Sequence, residues 1–213
     1  MKYKTDKFQI SCDGGAATGK STGAKMISKK YKLKFLSSGL LYRYAAQIIL
    51  KKKPKNEIKF LKKSFQSLNY KRLEKINLHT DKISEVSAKI AKIAKVRNIL
   101  KKFQLKFAKN NKRCCIEGRD ISTKILPDSD IKFFFICNLN TASKRRFKEL
   151  KKKNKFLNFK QVKKALKNRN KLDTARKNSP LLKHRDSIVI DTGKLNKQEM
   201  LTKMSQIVEN YLK

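Results

Sequence analysis

The residues best suited to chemistry are Gly14-Gly15-Ala16-Ala17-Thr18-Gly19-Lys20-Ser21, which satisfy the pattern G-x-x-x-x-G-K-[ST] and run on into Thr22. Small residues let backbone N–H groups curl round a phosphate, and a helix starting at about Gly19 would add the positive potential of its N-terminus. Lys20 can reach the β and γ phosphates, and the Ser21 hydroxyl can ligate Mg²⁺. The stretch Gly14–Thr22 is therefore expected to cradle a nucleoside triphosphate. GTPases, motor ATPases and small-molecule kinases all use such a loop, so the acceptor has to be read from other residues. No N-K-x-D guanine signal follows a strand, which argues against a GTPase.

The arginines supply the next observation. The chain has 56 Lys+Arg, of which only ten are Arg. A planar guanidinium holds phosphate bidentately where an ammonium cannot, so a lysine-biased chain should keep Arg where geometry demands it. Seven of the ten fall in local patterns: Ser37-Ser38-Gly39-Leu40-Leu41-Tyr42-Arg43, Val96-Arg97, Glu117-Gly118-Arg119-Asp120, Arg145-Arg146 and Arg169-x-x-x-Asp173-x-x-Arg176. The Glu117–Asp120 group follows an apolar run and so sits at the C-terminal end of a strand, where open α/β sheets bind ligands. Glu117 is then a candidate to hold Mg²⁺ through water. Arg169, Asp173 and Arg176 are spaced by four and three, which on one helix gives them a common face.

These residues need a scaffold. Five short apolar runs read as strands, at Lys7–Cys12, Leu33–Leu36, Arg113–Ile116, Ile131–Cys137 and Ser187–Ile190, and their lack of polar alternation suits a parallel sheet buried on both faces. Helical patterns lie between them at Gly19–Tyr31, Leu40–Lys53, Glu57–Ser67, Lys82–Lys109, Thr141–Lys153, Phe159–Arg169 and Lys197–Leu212. The alternation predicts an α/β fold with a doubly wound five-stranded parallel sheet. Residues 1–213 read as a single domain. Its core takes about 1–53, 110–140 and 180–213, with a helical insertion at about 54–109 and a helical lid at about 141–179. Phe133-Phe134-Phe135 belongs to a core strand, and His79 and His184 are expected at the surface.

Composition narrows the class. A formal charge of +40 invites a nucleic-acid reading, but 39% hydrophobic residues along the whole length exclude a disordered basic tail. Lys is spread evenly, so residue-usage bias explains the charge better than a binding footprint does, and no specific nucleic-acid partner is expected. Runs such as Lys51–Lys53 and Lys151–Lys153 read as solvated helix ends. Cys12, Cys114, Cys115 and Cys137 form no C-x-x-C pair and read as reduced core residues. No apolar run approaches the ~18 residues needed to span a bilayer, so a cytoplasmic location without membrane association is expected. A monomer is expected, since no apolar heptad repeat is present.

With those residues assembled, the chain resembles the bacterial cytidylate kinases of the nucleoside monophosphate kinase superfamily. The resemblance rests on Cys12-Asp13-Gly14 through Thr22, Ser38-Gly39-x-x-Tyr42-Arg43, Val96-Arg97, Gly118-Arg119-Asp120, Arg145-Arg146, Arg169-x-Lys171-Leu172-Asp173-x-x-Arg176, Ser179-Pro180-Leu181 and Ile190-Asp191-Thr192. It implies a P-loop kinase core, ATP as donor with Mg²⁺, and transfer of the γ-phosphoryl to CMP or dCMP. It further implies Ser38, Tyr42 and Arg43 in the acceptor pocket, with Arg43 on the CMP phosphate. Arg97, Asp120 and Arg176 would read the cytosine edge or that phosphate, and Arg119 would join the substrate-binding set. Arg169 and Asp173 would lie near sugar and phosphates. Lys20, Arg145 and Arg169 would be catalytic, with Arg145, Arg146 and Arg169 spreading transition-state charge as the lid closes. The chain departs from the family at Ser37 and Glu117, where members carry Asp. It also has a shorter Asn69–Asp81 segment than the family's small extra sheet, and only Ser87, Ala88 and Ala91 near the place of a base-contacting serine.

Overall fold

The computed structural model describes residues 6–151 and 157–213. It has a five-stranded sheet in the order β2-β3-β1-β4-β5, from β1 (Phe8–Gly14), β2 (Lys34–Ser37), β3 (Arg113–Gly118), β4 (Ile131–Ile136) and β5 (Ile188–Asp191). β1 pairs in parallel with β3, Phe8 opposite Arg113, and with β4, Ile10 opposite Ile131; β4 pairs in parallel with β5. All seven residues of β1 are buried, as expected for a central strand covered on both faces. All five expected strands form. β1 and β3 run two residues further than their apolar cores, because Asp13, Gly14, Glu117 and Gly118 keep extended backbone while bringing polar groups to the strand ends.

The chain divides into two compact units, one of residues 1–35 and 112–213 and the other of residues 36–111. In the first, helices α1 (Lys20–Lys30) and α8 (Lys197–Leu212) cover one sheet face. Phe8, Ile10, Cys12, Phe133, Phe135 and Ile190 pack there against Ala24, Ile27, Met200, Met204 and Val208. The phenylalanine run alternates: Phe133 and Phe135 are buried and Phe134 is half-buried, so it is core, as the sequence reading has it. The Tyr31 hydroxyl and Lys30 both donate to Glu209, tying α1 to α8. Asn196 and Glu199 cap α8 reciprocally. The same unit holds α6 (Leu139–Lys151) and α7 (Phe159–Ala175). Lys152 and Lys153, the expected end of the helix beginning near Thr141, lie outside the described residues. Helix α7 runs six residues past the expected Arg169, so Arg169 and Asp173 are helical and Arg176 is the residue that ends it.

The second unit packs α2 (Ser38–Lys52), α3 (Glu57–Gln66), a 3-10 turn at Tyr70–Lys75, α4 (Asp81–Ile90) and α5 (Ala94–Asn110). Leu41, Ala45, Leu61, Phe65, Leu78, Val96 and Leu100 form its interior, with edge-on contacts of Phe65 to Tyr44 and Phe103. Helix α2 falls in this unit, whereas sequence reading grouped it with the core. The expected single helix Lys82–Lys109 is two helices. The break at Ala91–Ile93 contains neither Gly nor Pro; a local side-chain contact supports it, since the Arg97 guanidinium donates to the Ala91 carbonyl at 3.3 Å. Ser87 and Ala88 therefore belong to α4, a different helix from Arg97. Of the four cysteines, Cys12, Cys114 and Cys115 are buried and Cys137 is half-buried.

Candidate active site

The phosphate loop runs from the end of β1 to the first turn of α1. Gly14 has φ +154, and a Cβ there would lie 2.5 Å from the Phe135 carbonyl oxygen. Only glycine lets β1 leave the sheet this close to β4. Gly19, at φ +81, caps α1, and Ala17 also takes a left-handed conformation at φ 59. A non-glycine residue in that region is strained, and the strain lies within the loop meant to wrap a phosphate. The Thr18 hydroxyl donates to the Gly15 carbonyl at 3.0 Å, and the Thr192 hydroxyl at the end of β5 donates to the Thr18 carbonyl at 2.7 Å.

Lys20 follows at once. Its Nζ lies 3.5 Å from Glu117 Oε2, and both side chains are nearly inaccessible to solvent. Burial, reinforced by the charges of Arg119 and Arg169 and opposed by Glu117, lowers its pKa from 10.5 to about 8. So many cations converging on one buried ammonium make a place built for an anion.

The end of β3 and helix α7 supply the rest. Arg119 Nε donates to Asp173 Oδ2 at 2.7 Å. Arg176 bonds Asp173 Oδ1 at 3.5 Å and the Ser179 carbonyl, and lies 4.0 Å from Asp120 Oδ1. Burial alone would raise the Asp173 pKa, but Arg119, with Arg169 and Arg176, holds the carboxyl below the usual range. Lys20, the Glu117-Arg119-Asp120 group and the Arg169-Asp173-Arg176 group, three separate stretches of the sequence, are thus joined by contacts or by mutual electrostatics. Arg145 is tied to the phosphate loop through Thr192: its guanidinium donates to the hydroxyl and the carbonyl of Thr192, at 2.9 and 2.6 Å. Arg146 pairs with Glu149 at 2.8 Å.

Three residues of this region escaped the sequence reading as contributors to the site. Asp13 accepts from Ile121 N, Ser122 N and Ser122 Oγ at 2.8, 2.7 and 2.6 Å, holding the π-helical turn Ile121–Ile125 that follows Asp120. Burial pushes its carboxyl up, and these hydrogen bonds oppose that. The signal was present, since an acid between Cys12 and Gly14 in a buried strand must be satisfied by something. Asn170 accepts the Ala16 N–H at 3.0 Å, and Thr192 links the phosphate loop to Arg145.

In the second unit, Ser37 caps α2, its hydroxyl accepting the Leu40 N–H at 3.4 Å. Serine and aspartate both serve as N-caps, so the departure from the family residue keeps this local role. Arg43 is 6% exposed and donates to the Leu78 carbonyl at 3.1 Å and to Ser84 Oγ at 2.7 Å. Ser84, absent from the sequence-derived set, orients it. The Arg97 guanidinium lies over the Tyr42 ring, 5.7 Å from its centroid, and Ser38 is buried.

Among the described residues no group of three or more His, Cys, Asp or Glu side chains could hold a metal ion. Mg²⁺ in phosphoryl-transfer sites keeps waters and binds through one or two protein oxygens together with substrate phosphates. The Ser21 hydroxyl and the Glu117 carboxylate are hard donors of the right kind.

Residues 10–210 match the family model for cytidylate kinase. The chain belongs to the cytidylate kinase family. It is 33% identical over 210 residues to a protein of Rickettsia africae (strain ESF-5) named cytidylate kinase, covering 97% of this chain and 94% of that one. A protein of the same name from Mesomycoplasma hyopneumoniae (strain 7448) is 35% identical over 224 residues, covering 98% and 95%. Among solved structures, an uncharacterized protein from Eubacterium ventriosum aligns with a TM-score of 0.57 at 16% identity, over 96% of this chain and 99% of that one. Shikimate kinase from Acinetobacter baumannii, in complex with shikimate, aligns at 0.50 and 14% identity, over 98% and 97%. At those identities the structural likenesses speak for the fold, which is that of the P-loop kinases. None of the described helices is long and apolar enough to cross a membrane.

Proposed function

We infer that this chain transfers the γ-phosphoryl group of ATP to CMP or dCMP, giving CDP or dCDP, as a cytoplasmic monomer acting on small-molecule substrates in pyrimidine nucleotide metabolism. The observation that carries this reading is the buried Lys20–Glu117 pair among Arg119 and Arg169, in a chain that matches the family from residue 10 to 210. Residues Gly14–Thr22 cradle the donor phosphates, with Lys20 on the β and γ oxygens. Ser21, and Glu117 through water, would hold Mg²⁺, which when bound supplies charge neutralisation on those oxygens. Lys20 and Arg169 spread charge over the transferring phosphoryl, and Arg145 contributes from its anchor on Thr192. On the acceptor side Ser38, Tyr42 and Arg43 bind the nucleotide. Arg97, Arg119, Asp120, Asp173 and Arg176 complete recognition of base, sugar and phosphate. A carboxylate such as Asp120 suits the N4 amino group of cytosine, and guanidinium groups suit its O2 and N3. The units this reading names are the core, the acceptor-binding insertion at about 54–109 and the lid at about 141–179.

The test is ADP formation from ATP and Mg²⁺ with CMP, dCMP, UMP, AMP or shikimate supplied separately. Turnover with CMP and dCMP in preference to the others is the expected result. Turnover confined to shikimate or AMP overturns the acceptor assignment.

A further inference from the structure

The single peptide plane joining Gly15 to Ala16 is held at both ends. Its carbonyl accepts from the Thr18 hydroxyl at 3.0 Å, and its N–H donates to Asn170 Oδ1, also at 3.0 Å. The approach is close enough that a Cβ at Gly15 would stand 3.3 Å from the same Asn170 oxygen. Asn170 follows Arg169 on α7, and three residues further along the helix Asp173 bonds Arg119 at 2.7 Å. Residues three apart lie on one helix face, so α7 grips the phosphate loop through residue 170 and the end of β3 through residue 173.

We propose that Asn170 is a positioning residue: by clamping the Gly15–Ala16 peptide it fixes the direction in which the phosphate loop presents its amides, and couples that direction to the seating of the α7 face carrying Arg169 and Asp173. The proposal rests on the phosphoryl-transfer reading above. Thr18 by itself leaves the plane free to swing about its carbonyl end, and the second anchor removes that freedom before substrate arrives. Preorganised donors act in the transition state because they need no reorientation as charge develops. A loop free to swing should therefore lose turnover more than ground-state affinity for ATP.

The experiment compares wild type, Asn170→Leu and Asn170→Asp. Leucine keeps the bulk and removes the acceptor. Aspartate has nearly the same shape and restores an acceptor at the same place. In the nucleotide-free protein, exchange of the Ala16 amide is followed by NMR, and in the presence of ATP, Mg²⁺ and CMP, kcat and KM for ATP are measured. The expected result is faster Ala16 exchange in Asn170→Leu and a fall in kcat of about tenfold or more, the scale of a small misplacement at the reacting centre. KM should change by less than about threefold, and Asn170→Asp should recover both properties. Unchanged Ala16 exchange in Asn170→Leu overturns the clamp, and equal impairment of the Leu and Asp variants overturns its positioning role. If the wild type turns over no acceptor, the functional reading fails, while the exchange comparison still decides whether Asn170 holds the loop.

Discussion

Lys20 shows how a single buried ammonium can carry the pH behaviour of a whole site. Its pKa is lowered to about 8, so in the free protein it loses its proton as pH rises past that value, and with it the charge proposed to meet the donor phosphates. The value of kcat/KM for ATP, which reports the free enzyme, should be flat below about pH 8 and fall by about tenfold per unit above it. Glu117 raises that pKa, so Glu117→Gln should move the alkaline limb to lower pH, a pH–rate profile being the check. Lys20→Ala should remove turnover while leaving the circular dichroism spectrum unchanged; normal turnover in that variant would refute the phosphate-site assignment. At this scale the sequence was informative where a residue type is itself diagnostic, as with Lys20, Glu117, Arg119 and Arg176, which the fold sets in contact with an oppositely charged residue picked out beside them. It was silent on Asn170 and Ser84, because an amide or hydroxyl becomes meaningful only when folding brings it to a particular backbone group or guanidinium.

Among elements, the turn after β3 depends most on a remote strand. Asp13 at the end of β1 holds two N–H groups and a hydroxyl of Ile121 and Ser122. Asp13→Ala should cost about 3 kcal/mol or more, since it leaves several buried donors unsatisfied, and a urea titration would measure it. Asn196→Ala, which removes the capping box of α8, should cost only about 1 kcal/mol. The strands were legible because five apolar runs bounded by polar or glycine-rich segments leave few alternatives. The division between α4 and α5 was not: no helix breaker marks Ala91–Ile93, and the carbonyl exposed there is met by Arg97, six residues ahead. The end of α7 was missed because its polar sequence masks the helical period, while contacts of Asn170 and Asp173 with the loop and with Arg119 hold it in place.

For the whole molecule, the dominant fact is the excess of cations, 56 against 16 acids. Most of those charges have no acid available and repel one another, which disfavours the compact state. The melting temperature should therefore rise as NaCl is raised from about 10 to about 150 mM, over which the Debye length shrinks from ~30 to ~8 Å. A melting temperature that falls over this range would show that exposed attractive pairs such as Lys30–Glu209 and Lys89–Glu85 outweigh the repulsion. The sheet order bears on how the chain comes into being. β1 is the central strand, yet both its neighbours come from later sequence, with Phe8 opposite Arg113 and Ile10 opposite Ile131. During synthesis the first strand emerges with no strand to pair with, while residues 36–111, a compact unit of local helical contacts, can assemble behind it. An apolar, edge-exposed segment is thus left waiting on the ribosome until the far side of that helical unit has been translated, and the nascent chain is most open to mispairing in that interval.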